Sequence, residues 1–283
     1  MRDKEHLKSY PLISNRIKKI NETFESRIIT NIKKGDVKDW VSDRLKINTP
    51  KTVKDYLTDI RGVFDVAIDY EHTKENVAKN IKLPTHTKKE IEPFTPKEVE
   101  LLLSKASNWM KLYLAIGFYT GLRTGEILGL MVDDIDLSKK IIVVKRSISK
   151  GKITSPKTKK SIRSVPVLDG LIPYLKLPKN NKWLFSTNQG MNLKAFPGNR
   201  QKEWRELLEE CNISYRKIYA TRHTFIVSML KHSDLSILEI AQLAGHSSTQ
   251  MIIQNYGRFI KGEHLIIDRG IQLFPGNSTD SVA

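Results

Sequence analysis

The sequence predicts a mainly α-helical protein with a small β-sheet, in which a helical N-terminal unit is followed by a larger unit of helices around the sheet. Three observations carry this. Between Thr52 and Tyr70 the apolar residues Val53, Tyr56, Leu57, Ile60, Val63, Phe64 and Ala67 recur at three- and four-residue spacing, the stripe of an amphipathic helix. The segment 83–95 interrupts every such period with two prolines and a run of charges. Further on, Ile141–Val144 and Ile162–Val167 read as two strands of a β-hairpin, the first ended by the polar turn Ser149-Lys150-Gly151-Lys152.

Bulk composition agrees with two domains. The chain has 283 residues, and about 100–200 per domain is usual. At 39% hydrophobic it can bury real cores. Lys+Arg is 48 against Asp+Glu 31, and 48 − 31 = +17, spread along the whole chain. That charge points to nucleic acid or an anionic membrane surface as partner, since each phosphate neutralised releases a counterion. Cys211 is the only cysteine, so no internal disulfide forms, and a buried inert thiol is expected. No stretch approaches the roughly 18–20 apolar residues that cross a bilayer. The N-terminus lacks the apolar core of a signal peptide. A soluble, cytoplasmic protein is expected.

The domains are expected at 1–88 and 96–283, with 89–95 as linker. In the first, a shorter helix from Val37 to Leu45 carries Trp40, Val41 and Leu45 ahead of the long helix. Lys51 and Lys54, where the long helix starts, are candidates for phosphate contacts; a solvated face is the plainer reading. The second domain opens on a helix start: Thr95 as N-cap, Pro96 in the first turn and Glu98 closing a capping box. That helix is expected to bury Val99, Leu102 and Leu103. Met110–Phe118 is almost wholly apolar and reads as a core helix ending at Thr120-Gly121, where glycine tolerates a left-handed backbone.

Arg123 follows at a corner, ahead of a helix starting at Thr124. An arginine in so apolar a neighbourhood needs a partner. Glu126 either holds the corner by an ion pair or orients the guanidinium towards a phosphate. Lys157, Lys159 and Lys160 lie on the far arm of the hairpin. Short elements are expected at Leu171–Leu175 (helix) and Trp183–Phe185 (strand), then helices at Gln201–Glu210, Arg222–Lys231 and Leu235–Leu243, the last stopping at Gly245. Beyond Pro275 a loose tail is expected.

Arg222, His223, His246 and Tyr256 fall within one 38-residue stretch, Tyr219–Tyr256. Exchanging a phosphodiester without a metal requires charge stabilisation at phosphorus, a placed nucleophile, and a proton for the leaving 5′-oxygen. Arginines stabilise the charge best because they stay ionised and bind two oxygens at once. A tyrosine nucleophile conserves the bond energy in a covalent intermediate. A lysine whose pKa is lowered by nearby cations protonates the leaving oxygen. Arg123, Arg222, Tyr256 and a lysine from 157–160 supply the parts.

The segments Thr-Gly-Leu-Arg-Thr-Gly-Glu-Ile-Leu-Gly-Leu (120–130), Thr-Arg-His-Thr-Phe (221–225), Gly-His-Ser-Ser (245–248) and Asn-Tyr-Gly-Arg-Phe (255–259) resemble the tyrosine recombinases of phage-integrase type. The resemblance covers nearly the whole chain. It implies a helical core-site DNA-binding domain followed by a mixed α/β catalytic domain, closing as a C-shaped clamp on duplex DNA. It also implies site-specific integration or excision of a phage or other mobile element through a 3′-phosphotyrosine link, with no cofactor or metal. Arg123 and Arg222 would clamp the phosphate, His246 would hydrogen-bond it, and Tyr256 would be the nucleophile. Lys157 best matches the general acid, with Lys159 as alternative; Lys159 and Lys160 are further DNA contacts. Glu126 and His223 would support from behind.

Two departures stand out. The family's His-x-x-Arg box has Tyr219 in place of histidine, and a phenol with a pKa near 10 is a poorer base than imidazole. Residues 1–15 are too few for the arm-binding domain many integrases carry, so a simple or a shortened recombinase is expected. The implied partners are double-stranded DNA, three further copies in a tetramer on DNA (a monomer when free) and accessory DNA-bending proteins. Phe259, Ile260, Leu265, Ile266 and Ile267 pack either on a neighbouring subunit or on their own domain. The competing readings are a DNA-binding relative with weakened chemistry, a topoisomerase using the same residues, and a metal-dependent nuclease, for which no ligand spacing is evident.

Overall fold

The computed structural model describes residues 9–85, 90–149, 151–154, 162–178 and 181–260. The chain divides into two compact units, Met1–Lys89 and Glu90–Ala283.

The first unit is helical: α1 (Tyr10–Phe24), α2 (Lys34–Ile47) and α3 (Pro50–Asp69). Thr49 caps α3 by accepting from the Thr52 N–H, and Pro50 occupies its first turn. Val53, Leu57, Ile60, Phe64 and Ala67 are buried as the periodicity predicts, against Val37, Trp40 and Val41 of α2 and Ile20 of α1. Val63 does not belong to the stripe and is 46% exposed. At 3.6 residues per turn it sits about 80° from the centre of those five buried positions, at the edge of the stripe. Lys51 and Lys54 lie on the exposed side.

The second unit begins with Phe94 already in its core, edge-on to Phe118 and Trp204, while the Phe94 N–H donates to Thr224 Oγ1 at 2.9 Å. The expected capping box starts α4 (Pro96–Lys105), which buries Leu102 and Leu103 and leaves Val99 half-buried. Arg216 braces the same corner with a two-pronged ion pair to Glu98. Next come α5 (Asn108–Thr120), buried on most sides, and α6 (Thr124–Leu128). The strands β1 (Ile135–Asp136), β2 (Ile141–Val144) and β5 (Arg163–Pro166) form an antiparallel sheet in the order β1-β2-β5, with Val144 opposite Arg163.

The expected pairing of Ile141–Val144 with the later strand is present. The polar turn, however, does not close that hairpin. It joins a separate two-stranded ribbon, β3 (Ser147–Ser149) and β4 (Lys152–Thr154), around Gly151. A positive φ at Gly151 lets so few residues reverse the chain. Trp183–Phe185 is buried but is no strand: it makes one isolated bridge, Met131 to Trp183, so its apolar run reflects burial without a ladder. The expected short helix is a 3-10 turn at Asp169–Tyr174.

Helices α7 (Gly198–Glu210), α8 (Ala220–His232), α9 (Ile237–Ala244) and α10 (Gln250–Tyr256) complete the unit, with α8 packed along α5. Phe225, Ile226 and Leu230 of α8 form a second core with Ile240, Ala244, Ile252 and Tyr256. Phe259 and Ile260 pack against this core of their own unit; Leu265, Ile266, Ile267 and the tail beyond Pro275 lie outside the described residues. Cys211 is a buried free thiol whose pKa burial raises. Among the described residues no helix is long and apolar enough to cross a membrane.

Candidate active site

Two helix ends build the site. Both α5 and α9 stop at a left-handed glycine, Gly121 (φ 63°) and Gly245 (φ 68°), which turns the last carbonyls away from the helix. Arg222, in the first turn of α8, is 1% exposed and donates from Nη1 to the carbonyls of Gly121 and Ala244, each at 2.6 Å. Arg123, two residues beyond Gly121, donates from Nη2 to the Gly245 carbonyl at 2.7 Å. Helix C-termini carry partial negative charge, so both guanidiniums sit where the main chain favours a cation.

Glu126 pairs with Arg123 as the sequence suggests. Its carboxylate accepts the Arg123 N–H at 2.9 Å and Nη1 at 3.1 Å. A second arginine, absent from the sequence reading, holds it harder. Arg163 of β5 donates Nη1 and Nη2 to the two carboxylate oxygens at 3.0 and 2.8 Å, and Nε to the Leu243 carbonyl at 3.1 Å. Burial alone would push the Glu126 carboxyl up, but Arg163's hydrogen bonds and charge, then Arg123, hold it below the usual value. The signal for Arg163 was alternation: it shares a strand face with the buried Val165. Arg163→Met is expected to destabilise the protein by about 3 kcal/mol, because it leaves a buried carboxylate half-paired. Urea unfolding checks this, and a loss below about 1 kcal/mol would show that Arg123 alone suffices.

Arg222 is only partly satisfied. Its Nε and Nη2 are buried and find no hydrogen-bond partner among the described residues, and the same holds for His246 Nδ1. Buried donors without partners are rare enough to need an explanation, and an anion that both side chains grip supplies one. Burial lowers the Arg222 pKa and the like charge of Arg123 adds to it, yet an arginine stays ionised. The main-chain N–H of His246 donates to the Ala241 carbonyl at 2.8 Å, and the imidazole's pKa is pushed down to about 4 by burial and then by Arg222, Arg123 and Arg163.

Tyr256 ends α10 and is 3% exposed. Its hydroxyl is hydrogen-bonded to His223 Nδ1 at 2.7 Å, a contact the sequence reading did not anticipate for a residue expected to support from behind. Burial raises the phenol's pKa; Arg222 opposes this. His223 is pushed down to about 4 by burial and then by Arg222. Tyr219, at the N-cap of α8, is 38% exposed and sets its ring edge-on to His223, centroids 5.1 Å apart. The structure thus brings Arg123, Arg222, His246, Tyr256, Tyr219, Glu126 and His223 into one neighbourhood. Lys51 and Lys54 belong to the first unit, and Lys157, Lys159 and Lys160 lie outside the described residues. Among the described residues no group of three or more His, Cys, Asp or Glu is placed to hold a metal.

Both imidazoles have folded pKa values near 4, below the ordinary 6.5, so the unfolded chain takes up protons first as pH falls. Their contribution to stability is full above pH 6.5 and is lost between there and about 4. Melting temperatures are expected to fall through that window, and His246→Gln to flatten the fall. An unchanged slope in the variant would show that His246 is not the group being protonated.

Residues 92–261 match the model of the phage integrase family. A tyrosine recombinase XerC-like protein of Caldanaerobacter subterraneus is 29% identical over 248 residues, 74% of this chain and 63% of that one. The ICEBs1 integrase of Bacillus subtilis is 27% identical over 271 residues, 89% of this chain and 70% of that one. The chain thus spans a little under two thirds of the length of the first relative. The integrase of transposon Tn1549, solved in complex with transposon right end DNA, shares the fold at a TM-score of 0.74 and 20% identity, over 90% of this chain and 91% of that one.

Proposed function

The chain belongs to the phage integrase family, and on that premise we propose that it is a site-specific DNA recombinase of a phage or other mobile element. It cuts and rejoins DNA through a 3′-phosphotyrosine intermediate, with no metal taking part. The observation that carries the reading is Arg222: a buried guanidinium with two donors, beside a His246 nitrogen, that find no partner among the described residues, and in the field of Tyr256. A scissile phosphate seated there receives hydrogen bonds where its charge grows during attack. Arg123 adds a second fixed cation, oriented by Glu126 and the Gly245 carbonyl.

Tyr256 Oη attacks phosphorus, the bond to the 5′-oxygen breaks, and a lysine of the 157–160 stretch, Lys157 first, gives that oxygen its proton. Attack by a second strand's 5′-hydroxyl reverses the step on new DNA. Exchanging both strands of two duplexes takes four cuts and so four copies of the chain, a tetramer on DNA. Lys51 and Lys54 of the helical unit, with Lys159 and Lys160, contact the backbone, consistent with a charge of +17. The setting is the bacterial nucleoid.

Selection from random-sequence duplexes supplies the site, and a nicked suicide duplex carrying it is then incubated with the protein in EDTA. A denaturation-resistant adduct mapping to Tyr256 is expected. Specific binding with no adduct would make the chain a DNA-binding protein without the chemistry, and an adduct that needs a divalent cation would overturn the metal-free reading.

A further inference from the structure

We propose that His223 is the general base for Tyr256, taking the phenol proton as the tyrosine attacks and returning it when the strand is rejoined. This rests on the recombinase reading above. Of the groups around the Tyr256 hydroxyl, His223 Nδ1 is hydrogen-bonded to it at 2.7 Å, inside the range a proton-transfer partner needs. With the imidazole proton on Nε2, Nδ1 presents its lone pair to the phenol. The contact joins α8 to α10, so the same helix turn that carries Arg222 to the phosphate carries the base to the nucleophile. Tyr219, the other phenol nearby, approaches the ring of His223 edge-on and leaves Nδ1 to Tyr256.

The electrostatics fit the same role. Among the described residues, the titratable and charged groups facing His223 are Arg222 and Tyr219 from α8 and Tyr256 from α10. The pKa of His223 is near 4 in the free protein because of burial and then Arg222, so the imidazole is neutral and able to accept a proton throughout the neutral range. A bound phosphate offsets the Arg222 charge, which raises the basicity of His223 only once the substrate is in place. Meanwhile the phenol's own acidity is suppressed by burial, so it does not ionise unaided. In the step itself Oη–P forms, P–O5′ breaks, the Oη proton passes to Nδ1, and the 5′-oxygen is protonated by the lysine. Rejoining runs each transfer backwards.

The test uses the full chain, the nicked suicide duplex bearing the selected site, and single-turnover cleavage at several pH values. His223→Gln is expected to bind the duplex as the wild type does and to cleave about 10²–10⁴-fold more slowly. Its rate should climb with pH, because hydroxide must now remove the proton. Replacing Tyr256 by a ring-fluorinated tyrosine, whose phenol is more acidic, should shrink that defect. In the wild type, cleavage should fall on acidification between about pH 6.5 and 4, as the imidazole protonates, a measurement that needs no variant. A His223→Gln rate within a few-fold of wild type overturns the proposal. So does a slow variant with the wild-type pH profile and no fluorotyrosine rescue, since that is a packing role. A wild-type chain that forms no Tyr256 adduct brings down the recombinase reading first and this proposal with it, whereas a normal adduct with an indifferent His223 removes this proposal alone.

Discussion

Tyr256→Phe is expected to leave a folded, DNA-binding protein that forms no covalent adduct, a loss on the order of 10⁴-fold or more. The ring is 3% exposed and packs in the core formed by Phe225, Ile226, Leu230, Ile240 and Ile252, and phenylalanine keeps every one of those contacts. What disappears is one hydroxyl and its bond to His223, worth about 1 kcal/mol of stability. The two effects separate cleanly, since stability moves little while the buried phenol beside Arg222 is gone. The nearest replacement, Tyr219, is more than a third exposed and sits on the N-cap of α8, with its ring edge-on to His223. Denaturing electrophoresis of the suicide-substrate reaction reads the outcome. Residual adduct mapping to Tyr219 would mean the nucleophile has been misassigned.

Arg222→Lys is expected to retain the fold and lose about 10²–10³-fold in cleavage. An ammonium satisfies the carbonyls of Gly121 and Ala244 as a point charge, so the ends of α5 and α9 keep a partner and stability falls by about 1–2 kcal/mol. The planar fork is what lysine cannot reproduce. Nε and Nη2, the two donors that find no partner among the described residues, have no counterpart in it. Urea midpoints and single-turnover rates on the same preparation decide the matter. Cleavage within about tenfold of wild type would show that charge alone, without the fork, holds the phosphate.

Much of this was legible in the sequence because local chemistry fixed it. The α3 stripe, the Thr95–Glu98 capping box and the two terminating glycines are decided within a few residues, and, Val63 apart, each is found where the sequence puts it. Helix α1 carries only Ile20 as a fully buried side chain, so its periodicity was too faint to read, and α10 is only seven residues long. The ribbon β3–β4 was hidden because its turn residues also end a strand. Arg123, Arg222, His246 and Tyr256 could be named in advance by residue type and order. What they touch could not. The Arg163–Glu126 pair spans 37 positions and the His223–Tyr256 bond 33, and contacts that long are products of packing.

At the end of α9, three consecutive main-chain carbonyls are each taken by a different arginine: Leu243 by Arg163, Ala244 by Arg222 and Gly245 by Arg123. The three charges are therefore held by successive residues of one stretch of main chain, whose Cα atoms stand about 3.8 Å apart. A lineage is free to exchange the side chain at Leu243, half-buried and uninvolved in the grip, without displacing a single guanidinium. Gaining or losing one residue there would slip all three arginines out of register at once. The geometry of the cluster thus depends on chain length at this helix end more than on the side chain at Leu243.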